Sequence, residues 1–97
     1  MQAMALDTRY SHADGILKQD VSGSVVLFNM DDGRYYALNE LGARVWDLCD
    51  GALRLSGVVD AICDEYDAPR ATITQDVVDL IRELVDEGLV VEADQTA

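Results

Sequence analysis

From residue 16 onwards the hydrophobic positions fall into two regimes, short extended runs first and helical stripes afterwards. Ile16-Leu17-Lys18-Gln19, Val25–Met30 and Arg34–Leu38 are short, rich in β-branched and aromatic residues and bounded by turn formers, which predicts three strands. Asp20–Ser24 supply the first turn. Asp32-Gly33 sits in the second, where a glycine that tolerates positive φ suits a three-residue hairpin loop. Beyond Leu38 the period becomes helical. Asn39 can cap a first helix and Glu40 sets negative charge at its positive end, while Leu41, Val45, Leu48 and Cys49 share a stripe that Trp46 widens and Gly51 terminates. After the link Ala52–Leu55, Ser56 is a candidate cap for a second helix with Val58, Val59, Ile62, Cys63 and Tyr66 on one face. Asp67-Ala68-Pro69-Arg70 breaks it. A third helix then begins either at a Thr72/Gln75 capping box or at Thr74, with Ile73 and Val78 as a hydrophobic staple. Its stripe, Val77, Val78, Leu80, Ile81, Leu84 and Val85, is wider than one contact needs and opposes Asp76, Asp79, Glu83, Asp86 and Glu87. Gly88 closes the helix, and Leu89-Val90-Val91 is expected to run extended back against the core.

This order predicts an α+β fold like a winged helix-turn-helix, a three-stranded antiparallel sheet followed by three helices. Residues 1–15 have no period and are expected to form a flexible arm with His12 solvated, residues 16–92 the domain and 93–97 a polar tail. A sheet this small leaves at least one edge of unpaired amides and carbonyls.

Composition narrows the function. The 97 residues suffice for one domain. Nineteen acidic against seven basic residues give a net charge of −12, which repels phosphate backbones and anionic lipid alike, so neither nucleic acid nor membrane is an expected partner. The third helix, which would enter a DNA groove in a winged helix, has Arg82 against five acids, and residues 40–94 carry a net −10. With 49% hydrophobic residues the charge has to lie on a packed domain. Cys49 and Cys63 lack CxxC spacing and are expected to be buried thiols of a cytoplasmic protein; no apolar run reaches signal-peptide or membrane-span length. There is no Ser/His/Asp set, no phosphate loop, no HExxH and no metal-ligand pairing, so no catalytic residue, metal or cofactor is expected. Acidic pairs such as Asp31-Asp32 and Asp64-Glu65 read as solvated surface. An acidic, non-catalytic domain with an open strand edge beside an over-wide apolar helix face suits β-strand addition of a peptide. The alternative is an acidic winged-helix regulator or protein-interaction module.

The run DDGRYYALN-x-x-G-x-x-V-W-D-L, followed by VVDAI and then D-V-x-x-L-I-x-x-L-x-x-x-G-L-V, closely resembles the PqqD-like proteins over about residues 24–92. These are precursor-recognition proteins of ribosomally made, post-translationally modified peptides, in pyrroloquinoline quinone, lasso-peptide and radical-SAM pathways. The resemblance implies that a precursor's leader docks as an extra antiparallel strand beside the third predicted strand and rests on the third helix. Transferred to this sequence, it assigns strand pairing to Arg34, Tyr35, Tyr36, Ala37, Leu38 and Asn39 and the groove wall to Val77, Leu80, Ile81 and Leu84. The implied partners are the leader peptide and a separate modifying enzyme, either a radical-SAM enzyme or a leader protease and cyclase. The expected form is a monomer or a strand-exchanged dimer.

Overall fold

A computed structural model describes residues 7–22 and 24–93 of the chain. In chain order the elements are β1 (Tyr10–His12), β2 (Ile16–Val21), β3 (Ser24–Asn29), β4 (Tyr35–Leu38), α1 (Glu40–Leu48), α2 (Leu55–Glu65), α3 (Arg70–Asp86) and β5 (Val90–Glu92). The three predicted strands form an antiparallel sheet in the order β2-β3-β4 and three helices follow, so the α+β, winged-helix-like class holds. A second sheet, β1 with β5, was not foreseen.

The hairpin between β3 and β4 has a four-residue loop, not three. Asn29 N–H donates to Arg34 O and Gly33 N–H to Asn29 O, leaving Met30, Asp31, Asp32 and Gly33 outside the ladder. Gly33 takes φ +74, the left-handed conformation that closes the loop at no Cβ cost. Asp32 Oδ1 accepts from Arg34 N–H and Asn29 Oδ1 from Asp31 N–H, so the loop's polar residues satisfy its own backbone.

Where strand passes into helix, Asn39 caps α1 as expected: its Oδ1 accepts from Gly42 N–H at 2.7 Å. Such a cap contributes about 1 kcal/mol. Gly42 is needed for a steric reason, because a Cβ there would stand 3.2 Å from both Asn39 Oδ1 and Leu38 Cδ2. The spacing Leu-Asn-x-x-Gly thus encodes a helix start folded tightly over the end of β4.

Two helix starts differ from expectation. Ser56 lies inside α2, whose first residue is Leu55; the N-cap position falls to Arg54, which makes no side-chain cap bond, and the Leu55 N–H donates to Thr8 O at 2.8 Å. α3 begins at Arg70, ahead of both Thr72 and Thr74, because Pro69 at φ −60 is already set for the helical entry and needs no side-chain cap. Gln75, released from the capping box, donates to Asp79 Oδ1. The C-terminus of α3 does follow the sequence. With Gly88 at φ +75, Gly88 N–H donates to Val85 O and Leu89 N–H to Leu84 O, the two bonds of a Schellman motif.

The N-terminal arm is corrected over its described part; residues 1–6 lie outside the described residues. Tyr10–His12 pairs with β5, Ala13 N–H donates to Leu89 O, Gly51 N–H donates to Tyr10 O, and Tyr10 itself is 4% exposed. This strap ties the α1–α2 connection to the C-terminal strand. His12 stays at the surface but is not a free side chain. Its ring stacks on Trp46 with centroids 3.6 Å apart, and its Nε2 lies 2.7 Å from Trp46 O, so it lids an indole that is only 2% exposed.

The core joins Leu27 and Leu38 of the sheet to Val45, Trp46 and Cys49 of α1, Leu55, Val58, Val59 and Ile62 of α2, and Ile73, Val77, Ile81 and Leu84 of α3. Exposed ion pairs, Lys18–Asp47 and the forked Arg44–Glu65, cross between elements and contribute little to stability. Both thiols are free, as expected of structural cysteines. Cys49 is 1% exposed; burial, with a smaller effect from the Asp50 charge, pushes its thiol up to about 12. Since the thiolate is the nucleophile, Cys49 is expected to resist an alkylating reagent at neutral pH until the protein unfolds, while half-buried Cys63 reacts in the native state. Mass spectrometry of alkylated native and denatured protein reads the difference; native labelling of Cys49 at the rate of Cys63 would contradict it.

Candidate peptide-binding site

β4 is an edge strand: among the described residues no strand pairs with its outer side. Its pairing with β3 runs without interruption, Phe28↔Tyr35, Leu27↔Tyr36, Val26↔Ala37 and Val25↔Leu38. Asn29 and Arg34 are joined by a ladder hydrogen bond, and antiparallel ladders alternate hydrogen-bonded with non-hydrogen-bonded pairs. Tyr36 and Leu38 therefore bond inwards to β3. The N–H and C=O groups of Tyr35 and Ala37 point out along the free edge.

Side chains alternate in the same strand. Leu38 is buried and Tyr36 half-buried on the core side, whereas Tyr35, 74% exposed, and Ala37 lie on the outer face, as the helix cap after Leu38 implies. Tyr35 is not isolated there. Its ring meets Phe28 at 4.9 Å, and Phe28 pairs in turn with Leu17, making one apolar row across the sheet.

Between the β4 edge and the C-terminal half of α3 lies an open cleft of about 440 Å³, lined by Tyr35, Tyr36, Ala37, Glu83 and Glu87. Burial and a hydrogen bond to Glu83 push the Tyr36 hydroxyl well above its ordinary pKa, with the Glu83 and Glu87 charges adding to the effect. The Arg34 guanidinium lies 3.7 Å from Glu87.

The residues assigned to strand pairing thus have different roles. Tyr35 and Ala37 present backbone, Tyr36 forms the cleft floor and Arg34 reaches its acidic end, while Leu38 is core. Asn39 is occupied as the α1 cap. The assigned groove wall needs correction. Val77, Ile81 and Leu84 are each 0% exposed, so they back the cleft from inside the core and cannot touch a docked strand in this state. Leu80 alone of the four is half-buried and reachable. The cleft also brings in Glu83 and Glu87, which the sequence pattern sets opposite the apolar stripe of the third helix. Leu80, Glu83 and Glu87 lie on one helix face at i, i+3 and i+7, a spacing that could have grouped them.

Other features offer less. A pocket of about 100 Å³ between the helices, lined by Leu41, Ile62, Tyr66, Ala68, Ile73 and Asp76, is nearly all apolar. No three or more His, Cys, Asp or Glu side chains among the described residues are placed to hold a metal ion, and no described helix is long and apolar enough to cross a membrane.

Residues 24–90 match the family described as Coenzyme PQQ synthesis protein D (PqqD). The chain belongs to the PqqD family. Similar proteins include the PqqA binding protein of Rhodopseudomonas palustris (strain ATCC BAA-98 / CGA009), 38% identical over 64 residues, 66% of this chain and 63% of that one. That of Bradyrhizobium diazoefficiens is 35% identical over 60 residues, 62% and 58% of the two chains. The match therefore spans a little under two thirds of these relatives' length. Among solved structures, TbiB1 in complex with the TbiA(beta) leader peptide superposes with a TM-score of 0.75 at 30% identity, covering 90% of this chain and 99% of that one. A lasso peptide synthetase B1 complexed with the leader peptide superposes at 0.77 over 86% of this chain and 98% of that one; at 19% identity it shows the shared fold alone. In this PqqD-family chain β4 and the cleft beside it lie within the matched residues 24–90.

Proposed function

We propose that this PqqD-family chain binds the leader region of a ribosomally made precursor by β-strand addition to β4 and delivers it to a separate modifying enzyme or leader protease. The observation that carries this reading is the outward-facing pair of backbone groups on Tyr35 and Ala37, beside a cleft open to solvent. A similar domain, TbiB1, is a leader-peptide complex, which supports it. Strand addition draws affinity from main-chain hydrogen bonds and specificity from alternate side chains, so the chain itself needs no catalytic group. Two or three buried leader side chains at about 1.5–3 kcal/mol each would offset ordering costs and leave micromolar binding, about −8 kcal/mol. The bound enzyme, whether a radical-SAM enzyme or a protease and cyclase, carries the chemistry. Because Tyr10–His12 is engaged by β5 of its own chain, the working form we propose is the monomer.

The test is titration of isotope-labelled protein with a synthetic leader encoded by a neighbouring gene, followed by amide shifts. The expected result is saturable binding with the largest shifts at Tyr35 and Ala37. Saturable binding that leaves those two amides unmoved, or no binding, would sink the proposal.

A further inference from the structure

A strand added to β4 alternates its side chains between the α3 side and the outer face of the sheet. Residues directly opposite one another share a face, so the added residue opposite Tyr36 projects towards α3, and those opposite Tyr35 and Ala37 project outwards. On the α3 side the inward residue meets Glu83 and Glu87, which line the cleft together with Tyr36. These carboxylates stand one helical turn apart and repel each other. Glu83 stands beside Tyr36 in the cleft lining, close enough to raise the pKa of the Tyr36 hydroxyl. Glu87 has Arg34 beside it in the cleft at 3.7 Å, with both side chains largely exposed. The contact is long and solvent-screened, so it is easily exchanged for another. An anionic side chain would be repelled from this position, and an apolar one would strip water from two carboxylates and return nothing.

Resting on the strand-addition reading, we infer that the docked leader places a lysine or arginine opposite Tyr36, its cation held between Glu83 and Glu87 in place of Arg34. The acidic α3 face makes this recognition additive with long-range steering, since a net charge of −12 attracts basic segments before contact. Glu83 and Glu87 become the specificity-determining side chains, while the backbone of Tyr35 and Ala37 supplies sequence-independent affinity.

The probe is a random peptide library panned on the immobilised chain at low salt, with enriched peptides then synthesised and titrated into labelled protein. Peptides that shift the Tyr35 and Ala37 amides are expected to share one Lys or Arg position. Replacing that residue by Gln should weaken binding about tenfold. In the double variant Glu83→Gln/Glu87→Gln the same peptide replacement should have little effect, closing a double-mutant cycle, and the variant's affinity should fall less steeply with salt. Because glutamine keeps the shape and removes repulsion, the variant is expected to melt like the parent; Glu87→Gln alone completes the cycle if the double variant does not fold. Peptides that shift the two amides but share no basic position, or an equal tenfold loss in the double variant, overturn this inference and leave strand addition standing. Enriched peptides that leave the Tyr35 and Ala37 amides unmoved overturn both.

Discussion

Ala37→Pro is expected to abolish leader binding in a domain that still folds, whereas Ala37→Ser keeps most of the affinity. Ala37 faces Val26 in a non-hydrogen-bonded pair, so its N–H serves no bond to β3 and its loss costs the native sheet nothing. Its side chain is exposed, and proline is tolerated on an edge strand whose N–H faces solvent. Tyr36, the residue before it, is already extended, as a following proline prefers. For an incoming strand the same change removes a donor and puts ring carbons against its carbonyl. An acceptor left unsatisfied costs about 1–3 kcal/mol, roughly 5- to 150-fold in affinity before any clash is added. Tyr35→Pro should act likewise. Tyr36→Pro would not discriminate, because the Tyr36 N–H belongs to the ladder with Leu27 and its loss weakens the sheet itself. Isothermal titration of the two Ala37 variants, with thermal melting as control, decides between backbone and side-chain recognition: equal losses in serine and proline variants would mean that side chains do the reading.

Leu84→Arg is expected to unfold the domain and Leu80→Arg to fold and lose the leader. The two leucines are one turn apart on α3, yet Leu84 is 0% exposed and enclosed by the core, whereas Leu80 is half-buried and shares a helix face with the cleft-lining Glu83 and Glu87. A guanidinium at position 84 has no carboxylate within the core, where no polar or charged residue is buried among the described residues. The expected cost, at least about 4 kcal/mol, is comparable with the ~5–15 kcal/mol that holds such a domain together. From position 80 an arginine can extend its head to water along apolar surface, with a loss of about 1 kcal/mol. It can also reach Glu83 and fill the place of a docked strand. Circular dichroism melting and leader titration on both variants give the answer. A folded Leu80→Arg protein with parental affinity would remove α3 from the site, and a parental melting temperature for Leu84→Arg would contradict its place in the core.

Much of this architecture is carried by short-range physics that the chain spells out locally. Strand and helix periods, the Asp32-Gly33 turn, the Asn39 cap with Gly42 three residues on, and Gly88 with its Schellman bonds all act within a few residues of one another. Such features are legible because the interacting groups are neighbours in sequence. The family motif is of the same kind, since the spacing from the aromatic strand through Asn39 to Gly42 and Trp46 records how a helix is folded over a strand end. Even so, local signals gave way where a distant partner competed: α2 starts at Leu55, whose N–H donates to the Thr8 carbonyl, so Ser56 falls inside the helix, and the hairpin took a fourth loop residue to suit the ladder with β3.

Long-range contacts decided the rest. β1 is three residues long and has no period of its own; it exists because β5, nearly eighty positions later, offers it a partner, and Tyr10 and His12 acquire their roles from that strap. The stripe of α3 announced an apolar face but not how much of it the core would consume. Packing took Val77, Ile81 and Leu84 entirely, left Leu80 at the surface and turned Glu83 and Glu87 towards the strand edge. Which amides of β4 face outwards likewise depends on the register against β3, and a shift of one residue would have exchanged Tyr35 and Ala37 for Tyr36 and Leu38. Composition and spacing suffice to identify an open edge beside a helix, because they reflect what each segment does alone; the backbone groups and carboxylates that meet a peptide there are selected only when sheet and helix pack, since that is what assigns each residue its side.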